Sequence, residues 1–237
     1  SMLSSDQENF MARTLHPTHY GKFCPIETPE GTEIGLRKNL SILCRISTRI
    51  NFDENEIIKK LEGAGLNKTE EGEIDVFLDG KFIGNVTSLQ EFVDEVKEKR
   101  RSKEFPLEMN IKNDSEFNAV LISTEPGRAL RPLIIVNNGI SNLTNEHLIR
   151  LEQNEMSWDD LLKEKVIEYL DTSEEENALI ALYEKELTSE HTHLEIDTMD
   201  LFGVITSLVP YGNHDQSSRL NRGSKTQKQA LGLYSAN

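Results

Sequence analysis

The residues best suited to chemistry lie late in the sequence. Arg219, Arg222, Lys225 and Lys228 follow one another in a stretch without a single acidic residue from Arg219 onward, although the chain as a whole carries a net charge of −15. On a helix capped at Ser217 or Ser218, Arg219, Arg222, Thr226 and Gln229 fall at i, i+3, i+7 and i+10 and share one polar face. The positive end of the helix dipole adds to the attraction for an anion there. Phosphate binding is the chemistry such a face supports, since a guanidinium matches two phosphate oxygens with its planar fork.

A second segment, Cys24-Pro25-Ile26-Glu27-Thr28-Pro29-Glu30-Gly31, has prolines and a glycine that restrict the backbone at close intervals. It predicts a rigid platform of loops that presents Glu27 and Glu30 in defined places. His16, His19 and Cys24 have a spacing that metal ligands can show, and His191 and His193 add two more imidazoles, but no fourth ligand completes a motif. Histidines hydrogen-bonded within the fold are the expectation, with His147 exposed on a polar helix and no metal bound. Neither a glycine-rich phosphate loop nor a Gly-x-Ser-x-Gly elbow occurs, which argues against a nucleotide-binding or hydrolase domain.

These residues must be positioned by a chain of 237 residues, 36% of them hydrophobic, which is enough for one or two soluble globular domains. No apolar run approaches the ~18 residues that a membrane span needs. The opening SMLSSDQENF has no apolar core of a secretory signal, so a cytoplasmic protein away from membranes is expected, with Ser1 a remnant of an added tag. Cys24 and Cys44 are too few for a disulfide framework and read as reduced, small apolar residues. The acidic balance argues against a chain that coats nucleic acid by itself. Acid is concentrated in Asp53-Glu54-Asn55-Glu56, Glu70-Glu71-Gly72-Glu73 and Glu174-Glu175-Glu176, the last read as a solvated face.

Pattern and turn signals predict an α+β fold. Residues 1–50 read as loops around one short buried element, Leu40 to Ile46. Ile74 to Leu78 and Lys81 to Val86 flank Asp79-Gly80, a hairpin signal, because this pair tolerates the positive φ of a tight turn. A helix follows from Ser88, with Leu89, Phe92, Val93 and Val96 inward and Glu95, Lys97, Glu98, Lys99, Arg100 and Arg101 outward. Strands are expected at Leu107 to Ile111, Asn118 to Ser123, Leu133 to Val136 and Val166 to Leu170, and helices after the caps Thr144 and Ser157. Leu201 to Val209 is nearly all apolar and is expected to be buried against Leu40 to Ile46.

At the motifs the sequence resembles the second-largest subunit of multisubunit DNA-dependent RNA polymerases, the family called β in bacteria. The resemblance is carried by His16-Pro17-Thr18-His19-Tyr20-Gly21 with Cys24 to Gly31, by Gly127-Arg128-Ala129-Leu130-Arg131-Pro132-Leu133, by Trp158-Asp159-Asp160-Leu161, and by Thr192 to Ile196. The ending Lys228-Gln229-Ala230-Leu231-Gly232-Leu233-Tyr234 and the Glu174 to Glu176 step are similar to archaeal and eukaryotic members more than bacterial ones, and the chain is read as archaeal. Where the family commonly has Ser-Pro-Arg, this chain has Ser217-Ser218-Arg219.

The resemblance implies a fork built from residues 1–50 and 156–209, an inserted external 2 lobe over 51–155, and the start of a hybrid-binding domain over 210–237. It implies that Arg219 meets the phosphates of the incoming nucleoside triphosphate, that Arg222, Lys228 and Gln229 lie near the RNA–DNA hybrid, and that Pro29, Glu30 and Gly31 lie near nucleic acid in the fork. Catalytic residues fall outside this stretch, and the Mg2+ is held mainly by the largest subunit, so the chain is expected to be inactive alone. The partners implied are the other polymerase subunits, template DNA, the hybrid and nucleoside triphosphates, with transcription factors on the acidic lobe. The rival reading is an independent interaction module whose acidic lobe binds a basic partner.

Overall fold

The computed structural model describes residues 8–49, 52–68 and 73–230. Two compact units form, Ser1–Cys44 with Asp197–Asn237, and Arg45–Ile196. The helices are α1 (Phe10–Arg13), α2 (Glu54–Glu62), α3 (Leu89–Arg101), α4 (Asn145–Glu152), α5 (Trp158–Lys163), α6 (Thr172–Glu175), α7 (Val204–Ser207) and α8 (Ser217–Gln229). The strands are β1 (Arg45–Ile46), β2 (Ile74–Leu78), β3 (Lys81–Val86), β4 (Asn110–Asp114), β5 (Ala119–Ser123), β6 (Ala129–Asn137), β7 (Ile140–Ser141), β8 (Ile167–Leu170), β9 (Ile180–Ala181) and β10 (His193–Leu194). Mixed helices and open sheets place the chain in the α+β class. The acidic run Glu70 to Gly72 and the ending Leu231 to Tyr234 lie outside the described residues.

In the larger unit a four-stranded sheet, ordered β3-β2-β5-β4, packs one face against α2 and α3. Its core holds Val76, Leu78, Val120 and Ile122 from the strands and Leu61, Phe92 and Val96 from the helices, all at most 2% exposed. The β2–β3 hairpin closes with Leu78 opposite Lys81. Its turn residues Asp79 and Gly80 both have positive φ, 48° and 79°, the backbone that this dipeptide signals.

The second sheet is organised on β6, which β1 and β10 flank on the path β1-β6-β10-β9 while β7 and β8 also pair with it. β6 begins at Ala129, upstream of the expected Leu133, and runs through Pro132. A proline inside a central strand costs a ladder bond. Here β1 pairs with Ala129 and Leu130 while β10 pairs with Ile134 and Ile135, so one ladder is already interrupted at Pro132. β4 likewise starts at Asn110 rather than Leu107, because Met109 N–H closes a turn onto the Pro106 carbonyl.

Two charged segments expected at the surface are inside this unit. Arg100 extends the Phe92, Val93, Val96 stripe of α3 by one more turn, which carries its guanidinium inward. Its Nη1 donates to Glu174 Oε2 at 2.6 Å and to the Met109 carbonyl at 2.8 Å; its Nη2 donates to Glu168 Oε2 at 2.6 Å and Glu174 Oε1 at 2.9 Å. Glu174 also accepts from Asn110 Nδ2 and from the backbone N–H of Ile111. Glu168 accepts from Arg101 Nη2 at 2.6 Å and pairs with His193 Nε2 at 2.9 Å. Burial alone would raise both carboxyls, but the Arg100 charge overcomes it. Glu168 is held well below the usual carboxylate range, with help from His193 and Arg101, and Glu174 is held below it. Glu175 is also engaged, with Arg131 at 2.6 Å, so the solvated face expected of the run is left only to Glu176, exposed and paired with Lys112 at 2.7 Å.

His16, His19, His191 and His193 form hydrogen bonds as the sequence suggested, though His147 is not the exposed side chain expected. Its Nδ1 accepts from Thr144 N–H at 3.0 Å and closes the capping box of α4, and its Nε2 lies 3.3 Å from Glu164. His191 closes the same kind of turn on Thr188. His16 caps the 3-10 turn Pro17–His19, whose last residue reaches back to the His16 N–H.

Candidate nucleic-acid interface

The smaller unit is built from loops, as the Pro and Gly spacing predicted. An antiparallel bridge between Phe23 and Leu40 ties its ends together, with Cys24 N–H donating to the Asn39 carbonyl and Ser41 N–H to the Lys22 carbonyl. Inside the loop Thr28 Oγ1 donates to the Arg37 carbonyl at 3.1 Å and accepts from Gly35 N–H at 2.8 Å. Gly31 takes φ +83° at the start of a 3-10 turn, a conformation that glycine adopts without steric cost.

Leu40 to Ile46 is not the buried element expected: Leu40, Ile42 and Ile46 are each at least 40% exposed. Leu201 to Val209 differs in the same way, with Val204 and Leu208 exposed. Small residues face inward instead. Thr206 is buried and accepts from the Cys24 thiol, while Gly203 approaches Glu27 so closely that a Cβ there would lie 2.6 Å from Glu27 Oε2. Apolar content predicted burial, but the four-residue α7 turns only its small side inward. Neither Cys24 nor Cys44 is in a disulfide, and burial, only partly opposed by Lys22, pushes the Cys44 thiol up to about 11.

α8 starts after Gln216, with Ser217 and Ser218 already in its first turn and no side-chain cap. Leu220 and Ser224 are its buried residues, and Asn221 Nδ2 fastens it to the platform through the carbonyls of Ile26 at 2.6 Å and Thr28 at 2.8 Å. Further along this stripe Lys225 Nζ lies 3.0 Å from Glu30 Oε2, and Lys228 Nζ meets Glu27 Oε1 and, at 3.3 Å, Asn39 Oδ1. Arg222 Nε reaches Glu30 Oε1 at 3.6 Å. The hydrogen bond and charge of Lys225, then Arg222, hold the Glu30 carboxyl below its ordinary range.

The loop and α8 enclose a groove of about 520 Å³. It brings together Pro29, Glu30, Lys228 and Gln229 of the sequence-predicted set. Arg37, Lys38, Lys225 and Lys228 line it against only Glu27 and Glu30, so cations outnumber carboxylates here in a strongly acidic chain. Arg219 and Arg222 stand outside the lining with side chains 78% and 77% exposed. Arg219 has a loose contact, 3.5 Å from its Nε to Asp215 Oδ1. Sequence reasoning counted Lys225 only among the cations of the basic tail and gave no role to Asn221, Lys38 or Asn39. Lys225 and Asn221 had a signal in their spacing with Lys228, i, i+4 and i+7 from Asn221, which is one helix face.

Family models match the chain in three successive stretches: RNA polymerase Rpb2 domain 3 over residues 1–46, domain 4 over 76–137 and domain 5 over 158–226. The chain belongs to the family of second-largest subunits of DNA-directed RNA polymerase. It is 39% identical to DNA-directed RNA polymerase subunit Rpo2 of Saccharolobus shibatae, over all of this chain and 22% of that relative. It is 38% identical to DNA-directed RNA polymerase III subunit RPC2 of Saccharomyces cerevisiae and 34% identical to DNA-directed RNA polymerase II subunit RPB2 of Encephalitozoon cuniculi. Those two matches cover 95% of this chain and 20% and 21% of the relatives. The chain thus spans about a fifth of the length of the relatives it matches. Among the described residues no helix is long and apolar enough to cross a membrane, and no group of three or more His, Cys, Asp or Glu side chains is placed to hold a metal ion.

Proposed function

We propose that this chain, as part of a second-largest subunit, serves template-directed RNA synthesis by a multisubunit, cytoplasmic polymerase. Residues 1–50 and 156–209 act as the fork, 51–155 as the external 2 lobe and 210–237 as the start of the hybrid-binding domain. The Mg2+ that phosphoryl transfer requires is assigned mainly to the largest subunit, and no step is routed through a metal on this chain. What this chain adds is charge and position. Arg219, exposed in the first turn of α8, clamps the triphosphate of the incoming nucleotide; Arg222, Lys228 and Gln229 follow the hybrid; Pro29, Glu30 and Gly31 present the fork edge. The acidic lobe takes a protein partner of the transcription machinery.

The observation that carries this reading is the cation excess at the α8 groove of a chain with net charge −15, with Arg219 exposed beside it. A guanidinium preorganised where negative charge builds on a triphosphate stabilises that charge most in the transition state. In the assembled polymerase, Arg219→Ala should slow single-nucleotide addition by roughly 10²-fold with assembly intact. A normal addition rate removes the phosphate role. The 237-residue chain by itself should make no RNA on a primed template with any nucleotide or metal.

A further inference from the structure

The four-stranded sheet has a second face opposite the one that α2 and α3 pack; α6 and its cap Asp171 flank it at the β4 end, where Asp171 and Ser173 line a groove beside Lys112, and the β3, β2 and β5 part lies beyond them. Period two sends Phe77, Leu121 and Lys112 away from the buried Val76, Val120 and Ile111. The register aligns them with Phe82 in one row across all four strands, Phe82 opposite Phe77, Phe77 beside Leu121, Leu121 opposite Lys112. Phe82 is 50% and Leu121 38% exposed, and Phe77 stacks edge-on against Phe82 with centroids 5.8 Å apart. A sheet with one face in the core is expected to turn polar residues to water on the other. This row is apolar in three of its four positions, and such contiguous apolar surface with a polar rim marks recognition.

Carboxylates form that rim. Asp75 is exposed in the neighbouring row, and Asp79 and Glu125 line a groove of about 350 Å³ beside Phe77 and Leu121. Asp79 is fixed there by Thr124, whose N–H and hydroxyl both donate to it, at 2.7 and 2.5 Å. The lysines at the two ends are already occupied, Lys81 by Glu54 at 3.0 Å and Lys112 by Glu176 at 2.7 Å. The face therefore offers a partner apolar area and negative charge, which repels nucleic acid and complements a basic protein.

We infer that the Phe82–Phe77–Leu121 row is the docking site for a basic amphipathic protein segment, one that lays apolar side chains along the row and sets lysines or arginines against Asp75, Asp79 and Glu125. The inference rests on the reading that the lobe carries a protein partner, and it names the surface and the chemistry.

The probe is a fluorescein-labelled helical peptide with a leucine face flanked by lysines, titrated into the 237-residue chain and into the assembled polymerase. Binding to both is expected, with none for a peptide whose lysines are glutamates. Phe82→Ser and Leu121→Ser should each weaken binding by roughly tenfold or more. If either lowers the melting temperature, Asp75→Lys with Glu125→Lys, at exposed positions, should abolish binding without that cost. Binding that persists in all of these variants keeps a protein-binding lobe but overturns this surface. Binding to the chain but not to the polymerase shows the row covered by another part of the enzyme and overturns it too. No binding to either overturns both readings.

Discussion

Arg100 and Glu174 meet through two hydrogen bonds, at 2.6 and 2.9 Å, with both side chains 2% exposed. Arg100 comes from the helix that packs the four-stranded sheet, and Glu174 from α6, which follows β8 of the other sheet. Within the larger unit this pair links the two sheets. Removing one partner leaves an uncompensated buried charge, so Arg100→Ala should destabilise that unit by ~3–5 kcal/mol, read by chemical denaturation. A loss below ~1 kcal/mol would mean water or a nearby lysine replaces the pair.

The same network sets a pH dependence. Glu168 and Glu174 have folded pKa values below the ordinary 4.5, so folding is stabilised by their ionised forms above that value. This stability is lost as pH falls from about 4.5 through the lower folded values. The melting temperature should be flat between roughly pH 6 and pH 9, where the half-buried Cys44 thiol begins to lower it, and fall steeply below pH 4.5. Glu174→Gln should start lower and fall less steeply; an unchanged slope places the acid transition elsewhere.

In the smaller unit the informative glycine is Gly203. A methyl there would lie 2.6 Å from Glu27 Oε2, the end of a buried side chain that would have to swing away from Lys228, and 3.2 Å from the Leu40 carbonyl, which is fixed backbone. Gly203→Ala should cost ~1–3 kcal/mol and speed amide exchange in α8, which Glu27 holds through Lys228. Gly223→Ala is the control. It meets only Val209, at 4.0 Å, inside α8, and should stabilise by ~0.5–1 kcal/mol. Equal effects of the two changes would remove the packing argument.

Arg219 and Asp215 are separable in the assembled polymerase. At 3.5 Å with the arginine 78% exposed, their contact contributes little to stability. Asp215→Asn should leave nucleotide addition near normal, and Arg219→Lys should recover little of the Arg219→Ala loss, because a point charge does not reproduce a bidentate fork. If Asp215→Asn instead mimics Arg219→Ala, with the defect in assembly, Arg219 is structural.

Local signals were legible wherever a short stretch of chain decides its own conformation. The Asp79-Gly80 turn, the Thr144 and Ser157 helix starts and the Cys24 to Gly31 platform follow from backbone preferences and caps that act over four or five residues. The motifs at His16 to Gly31 and at Gly127 to Leu133 carried the family for the same reason: they are contiguous.

Burial of charge and the partners of each cation required the tertiary structure. Arg100 has the same sequence context as Lys97 and Lys99, which stay only partly buried, and β8 and α6, more than sixty residues away, supply the carboxylates that draw it inside. Glu27 and Glu30 were placed by their loop, but their cations Lys228 and Lys225 come from nearly two hundred residues downstream. Apolar content alone misjudged Val204 and Leu208, because a one-turn helix packs a single side and there Gly203 and Thr206 fit the close approach to Glu27 and Cys24. Pairing energies depend on distance in space and on the dielectric of the site, neither of which composition or spacing along the chain determines.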